Sequence, residues 1–226
     1  MTSGKASRWR RSVAALALPL LLAACDDLRT DATTVFVLHD ISGSYFRELP
    51  ENLRANKQLL LGMRARDQMA IAQIVDCSFT DRAVITKVDI PDRPSERNNR
   101  ITGVAGQLDR FGAAAKQTSF TDIRGALLQA AAELRASKAS RRLLVVFSDM
   151  QEDPSPSCRR DPTARIDLSG IAVVAANVAK LEADNRNPQG YFSRLEGWKN
   201  FVESNGGRFA VVSDPKELAE LLHKRG

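Results

Sequence analysis

Short apolar runs alternate with longer amphipathic segments along this 226-residue chain, and this alternation constrains its fold more than any other feature. Residues 35–39, 143–147 and 171–176 are almost uninterrupted runs of apolar side chains, which is typical of strands buried on both faces of a sheet. Segments 49–66 and 122–138 carry apolar residues at helical spacing. The pattern predicts an α/β domain in which strands and helices alternate.

The remaining segments complete a three-layer, doubly wound, mostly parallel sheet of the Rossmann-like kind. We predict further strands over 68–76, 82–90 and 208–212, and further helices ending near 116 and over 191–205 and 215–223. Because only a few residues separate the strands 68–76 and 82–90, the second is expected to be an antiparallel edge strand. In such a sheet, ligands bind beyond the carboxyl ends of the parallel strands.

The first 24 residues have the features of an export signal, with basic residues before an apolar run that is too short to cross a bilayer. The run ends in Leu-Ala-Ala-Cys, which resembles a bacterial lipobox, so we expect Cys25 to be the lipidated first residue of the mature protein. Asp26 resembles the inner-membrane retention signal of Gram-negative lipoproteins. Residues 25–34 are then a lipidated tether, and residues 35–226 form the domain on the periplasmic face of the inner membrane.

The charge of the mature chain gives no indication of nucleic-acid binding. The signal contains four of the 33 basic residues and none of the 27 acidic ones, so 29 basic and 27 acidic residues remain, a net charge of +2. The mature part has no cluster of Lys and Arg interleaved with aromatic residues. A partner is therefore expected to be a protein, with the membrane contacted through the lipid.

Two cysteines remain after Cys25, namely Cys77 and Cys158. An even number of cysteines in an oxidising compartment favours a disulfide between them. Two free buried thiols are the alternative, because the sequence does not tell how far apart the two sites lie.

One carboxylate and two hydroxyls follow the first predicted strand within five residues: Asp40, Ser42 and Ser44. Oxygen ligands of this kind select small hard cations such as Mg²⁺ or Mn²⁺ over the metals that thiolates and imidazoles prefer. Capping of a strand end by Asp and Ser could explain any one of these residues alone.

Two later segments bring further oxygens to the same edge of the predicted sheet. Thr121 opens the helix predicted over 122–138, and Asp149 ends the strand predicted over 142–148. Because all five side chains fall at one edge, the sequence predicts a cation site there.

These segments resemble the von Willebrand factor type A domain with its metal-ion-dependent adhesion site, over residues 33 to about 223. The Asp-x-Ser-x-Ser motif of the family is matched by Asp40, Ser42 and Ser44, its helix-opening threonine by Thr121, and its strand-ending aspartate by Asp149. Thr118 or Ser119 could replace Thr121 if the helix begins earlier. The family usually has Gly after the last aspartate, so Met150 predicts a different path for this loop.

The resemblance implies that the hydroxyls of Ser42 and Ser44 bind Mg²⁺ or Mn²⁺ directly, while Asp40, Thr121 and Asp149 bind it directly or through water. It also implies an open coordination position for an Asp or Glu of a protein partner, and hence an adhesion or scaffolding role. Two alternatives stay open, a Mg²⁺-dependent phosphoryl or ester hydrolase and a structural domain without metal dependence. We do not expect the protein to be an enzyme. Acid-phosphatase-like chemistry needs a carboxylate two positions after Asp40, and the residue at that position is Ser42.

Two other conspicuous side chains are expected to be structural. His39 precedes Asp40 on a strand, so the two side chains point to opposite faces and His39 should pack against a helix. Trp198 and Phe201 lie at helical spacing, which is more typical of the core face of a helix than of a binding surface.

Overall fold

A six-stranded sheet runs through the middle of the computed structural model, which describes residues 30–158 and 165–222. Its strands are β1 (Thr30–Asp40), β2 (Gln68–Ile74), β3 (Val84–Asp89), β4 (Ala139–Phe147), β5 (Ile171–Ala176) and β6 (Arg208–Val212). Across the sheet their order is β3, β2, β1, β4, β5, β6, and each neighbouring pair is parallel except β2 and β3. The mostly parallel sheet with one antiparallel edge strand is thus confirmed.

Helices cover both faces of this sheet and make the domain three layers thick. They are α1 (Leu49–Leu61), α2 (Pro94–Ala114), α3 (Ile123–Ala136), α4 (Glu182–Arg186), α5 (Pro188–Ser204) and α6 (Pro215–Leu221). Helices α1, α2 and α6 pack on one face, and α3 and α5 pack on the other. Among the described residues, no helix has both the length and the apolar character needed to cross a membrane.

The central strands are buried on both faces, as their continuous apolar runs predict. In β1, Val35 and Val37 pack toward α1, whereas Phe36 and Leu38 pack toward α3, and each is at most 1% exposed. Strand β4 alternates in the same way between the two helical layers. This two-sided burial is the reason that the strands lack the polar alternation of a half-exposed sheet.

Strand β1 begins at Thr30, five residues before the predicted start, so part of the expected tether belongs to the sheet. Thr34 pairs with Gln68 of β2, and the Thr33 amide donates to Asp67 Oδ1 at 2.8 Å. These contacts are made by polar groups. The hydrophobic pattern that predicts strands therefore carried no signal here.

Two helical segments differ from the prediction, and the reason in each case is local. Helix α1 ends at Leu61, because the amide of Gly62 closes its last turn and Asp67 then accepts from the Arg64 amide at 2.7 Å. Helix α4 was not predicted. It has five residues and a polar sequence, so it shows no apolar periodicity.

His39 is a structural residue, as its place on the strand predicts. It is fully buried, its ring stacks on Phe147 with centroids 5.1 Å apart, and its Nε2 accepts from Asn56 Nδ2 on α1 at 2.9 Å. Burial lowers the pKa of His39 to about 3, which keeps the ring neutral. The ring therefore belongs to the packing between β1 and α1.

Two leucines of α1 test how strongly the sheet depends on this helix. Leu59 is fully buried and Leu61 is 69% exposed. We expect Leu59→Ala to lower the free energy of unfolding by about 2–5 kcal/mol, because it leaves a cavity in the core. Leu61→Ala is the matched control and should change it by less than about 0.5 kcal/mol. Urea unfolding followed by circular dichroism measures both, and equal effects would contradict this packing.

Candidate metal centre

The register between β1 and β4 brings two acidic loops to the same edge of the sheet. His39 pairs with Phe147, so the chain leaves both strands at the same level. Asp40 ends β1, and Asp149 lies two residues after the end of β4. Both aspartates are at most 1% exposed, and they lie at the carboxyl edge where ligands bind to parallel sheets.

Asp40 is held from both sides by its neighbours. Its Oδ1 accepts from the Ser42 amide at 2.8 Å, which forms an Asx turn, and its Oδ2 accepts from Ser148 Oγ at 2.6 Å. Burial raises the pKa of Asp40, and the charge of Asp149 adds to this, while the hydrogen bonds from Ser148 and Ser42 oppose it. The carboxylate therefore lies where a cation would stabilise its charge.

A row of three oxygens lies in front of Asp40. Ser42 Oγ is 3.4 Å from Ser44 Oγ, and Ser44 Oγ donates to Asp149 Oδ2 at 2.7 Å. Adjacent ligands of an octahedral Mg²⁺ with bonds of 2.0–2.1 Å are about 2.9 Å apart, a value that lies between the two separations in this row. Within the described ranges, no group of three His, Cys, Asp or Glu side chains could hold a metal, so any site here needs the hydroxyls.

Thr121 reaches the same place from the start of α3. It is 4% exposed and lines a cleft of about 370 Å³ together with Ser42 and Ser44. The part of the chain that the structure describes shows no hydrogen bond from its hydroxyl to the other predicted ligands. Helix α3 begins at Ile123, with Asp122 as its N-cap, so Thr121 and not Thr118 is the threonine at the helix start.

Solved structures with the same arrangement of strands and helices include a von Willebrand factor type A protein from Catenulispora acidiphila. It has 12% sequence identity to this chain and a TM-score of 0.50 over 84% of the chain. This chain has the von Willebrand factor A fold. The pilus adhesin SpaC from Lactobacillus rhamnosus GG, in its open conformation, is similar over 85% of the chain, with 12% identity and a TM-score of 0.51.

The similarity covers only part of those larger proteins. This chain spans 41% of the Catenulispora chain and 29% of SpaC. No protein-family model and no curated protein matches the sequence. At 12% identity, the likeness establishes the von Willebrand factor A fold and leaves the function to the residues of the site.

Met150 adopts an unusual backbone in this domain. Its φ is +61°, in the left-handed region that a glycine adopts without steric cost. The conformation is held by hydrogen bonds on both sides of the residue, from the Met150 amide to Ser148 Oγ at 2.9 Å and from Trp198 Nε1 to the Met150 carbonyl at 2.7 Å. Trp198 is thus a buried core residue of α5 that also shapes the loop after β4.

Two further arginines hold this loop, and sequence reasoning missed both. Arg194 donates from Nε to the Asp149 carbonyl at 2.9 Å and forms a buried ion pair with Asp184, at 2.7 Å. Hydrogen bonding from Arg194 is the main cause that lowers the pKa of Asp184.

Arg124 forms an ion pair with Glu152 and lies over the ring of Trp198 at 5.3 Å. The hydrogen-bonded partners of the two arginines are 10–45 residues away, so no local motif marks them.

A disulfide joins Cys77 and Cys158, whose Cα atoms are 5.5 Å apart, which confirms the predicted pairing. It links the loop after β2 to the loop after β4. Next to it, the Ser78 amide donates to Asp122 Oδ2 at 3.0 Å. The disulfide therefore braces the start of α3, where Thr121 lies.

The cap of α3 explains why a glycine stands at position 125. The Gly125 amide donates to Asp122 Oδ1 at 2.9 Å, and a Cβ at Gly125 would lie 2.7 Å from the Asp122 carboxylate carbon. We expect Gly125→Ala to displace this carboxylate and to lower the free energy of unfolding by about 1–3 kcal/mol.

Gly103 in α2 provides the matched control, because a Cβ there meets nothing within 4 Å. Gly103→Ala should be neutral or stabilise the domain by up to about 1 kcal/mol. Thermal unfolding of the two variants measures the difference. A Gly125→Ala variant as stable as Gly103→Ala would show that the Asp122 cap does not constrain the start of α3.

Proposed function

We propose that this domain binds a protein partner through Mg²⁺ or Mn²⁺ held by Asp40, Ser42, Ser44, Thr121 and Asp149. The proposal is carried by one observation, the row formed by Ser42 Oγ, Ser44 Oγ and Asp149 Oδ2 with spacings of 3.4 and 2.7 Å. Hard oxygens at this spacing suit an octahedral cation. Asp40 lies behind the row and Thr121 lines the cleft beside it.

Charge and exposure support an exchangeable position for a partner. The carboxylates of Asp40 and Asp149 together balance the charge of a divalent cation without exceeding it. The cation could therefore still accept an outside carboxylate as a ligand. Ser44 is exposed, whereas Asp40 and Asp149 are buried. A cation held there would be reached from solvent on the Ser44 side, where an Asp or Glu of the partner would bind it.

We propose a binding protein and not an enzyme. The residue two positions after Asp40 is Ser42, which cannot act as the general acid of acid-phosphatase-like chemistry. SpaC, which has the same fold, is a pilus adhesin, and adhesion is the class of function that we propose for this chain.

We further propose that Cys25, which lies outside the described residues, anchors the domain by lipid to the periplasmic face of the inner membrane. Thr30, the first residue of β1, follows Cys25 by five residues, so the sheet would begin within about 17 Å of the anchor. The candidate metal centre is at the other end of the 11-residue strand, about 33 Å farther along it. The geometry supports a metal centre that faces away from the membrane.

Removing the carboxylate behind the oxygen row tests the cation site. We expect the wild-type protein to bind one Mg²⁺ in isothermal titration calorimetry and Asp40→Ala to weaken this binding at least about tenfold, because a charged oxygen of the site is lost. Binding of a partner in the presence of Mg²⁺ should be lost as well.

Asp109→Ala is the control for this experiment. Asp109 is an exposed aspartate of α2 that pairs with Lys57, away from the site. This variant should bind Mg²⁺ as the wild type does, and circular dichroism checks that Asp40→Ala remains folded. Partner binding that persists unchanged in a chelator would rule out the cation bridge.

Two neighbouring substitutions test the anchor and the membrane separately. Cys25→Ser should abolish incorporation of labelled fatty acid and release the protein from the membrane fraction. Asp26→Ser should leave lipidation intact but move the protein to the outer-membrane fraction, because only the proposed retention signal changes. Unchanged lipidation of Cys25→Ser, or an unchanged inner-membrane location of Asp26→Ser, would contradict the corresponding proposal.

A further inference from the structure

The cleft beside the oxygen row is lined by polar side chains that have no partner in the described part of the protein. Gln117, Ser119, Gln151 and Asp153 line it and are exposed. Among the described residues, none of these four side chains makes a hydrogen bond or an ion pair. Amide and hydroxyl groups at such a place are available for hydrogen bonds with a polypeptide, and Asp153 adds a negative charge.

Backbone pairing fixes where Asp153 points. The Thr121 amide donates to the Asp153 carbonyl at 2.7 Å, and the Asp153 amide donates to the Thr121 carbonyl at 3.0 Å. Residues paired in this antiparallel way have side chains on the same side, with Cβ atoms about 5 Å apart. Thr121 lines the cleft, so the Asp153 carboxylate lies beside it.

Among the residues that the structure describes, the cations near this loop pair with groups other than Asp153. Arg124 pairs with Glu152, and Arg194 pairs with Asp184 and with the Asp149 carbonyl. Asp153 also does not join Asp40 and Asp149 as a third acidic ligand, since no such group of three occurs in the described parts of the chain. It is therefore an exposed negative charge at the edge of the candidate metal centre.

This charge has a consequence for the partner. Asp40 and Asp149 balance a divalent cation, so an acidic residue that binds the cation leaves the site with a net negative charge. Asp153 then repels that acidic residue across the cleft. We propose that the partner carries a Lys or Arg within two residues of its cation-binding Asp or Glu, and that Asp153 selects this pair. The inference rests on the proposed cation bridge.

Short peptides test the selection with the full-length protein in Mg²⁺. The neutral probe is an acetylated and amidated Gly-Gly-Asp-Gly-Gly, and each of four cationic probes replaces one of the glycines by lysine, so that lysine stands one or two residues before or after the aspartate. We expect the best cationic probe to bind wild type about three- to fivefold more tightly than the neutral probe, as measured by NMR titration. High salt should reduce this preference.

Two variants with the same change in charge identify the source of the preference. Asp153→Asn should bind the cationic and neutral probes equally, whereas Asp109→Asn on α2 should keep the wild-type preference. Equal binding of the probes by wild type, or a preserved preference in Asp153→Asn, overturns the role of Asp153 while leaving the cation bridge intact. If neither probe binds wild type in a Mg²⁺-dependent way, the bridge itself fails and this inference fails with it.

Discussion

The parallel pairing of β1 with β4 is the constraint on which the rest of the molecule depends. Residues Val35 to His39 pair in register with Leu143 to Phe147, and both strands are covered by helices on their two faces. Because parallel strands end at the same edge, this register places Asp40 and Asp149 together although they are separated by more than 100 residues in the chain. A shift of one residue would send the Asp40 side chain to the other face of the sheet.

Burying two carboxylates at this edge is costly, and the structure offsets the cost with local hydrogen bonds. Asp40 accepts from the Ser42 amide and from Ser148 Oγ, and Asp149 accepts from the Gln151 amide at 2.9 Å and from Ser44 Oγ. The same hydrogen bonds define the shape of the turns that follow each strand. The same hydrogen bonds therefore compensate the burial of the two carboxylates and position the oxygen row.

The turn that follows β1 is also held on its core side by a separate network of neutral groups. Tyr45, which directly follows Ser44, is fully buried and donates from its hydroxyl to the Asn177 carbonyl at 2.6 Å. Asn177 in turn donates from Nδ2 to Asn52 Oδ1 on α1 at 2.8 Å. Ser44 is thus exposed while its neighbour is anchored in the core. This combination suits a residue that must face solvent in a defined position.

The sequence alone determined the fold class and the identity of the five candidate ligands. Apolar runs such as 143–147 indicate strands that are buried on both faces. Asp, Ser and Thr at the ends of strands and helices indicate capping or oxygen ligands. Both signals are local in the sequence. The extra length of β1, the arginines that brace the loop after β4, and the position of Asp153 were decided by tertiary structure. Each of them depends on polar contacts between distant segments, which leave no periodicity in the sequence. The left-handed backbone at Met150 is of the same kind, because Ser148 and Trp198 stabilise a conformation that its own side chain disfavours.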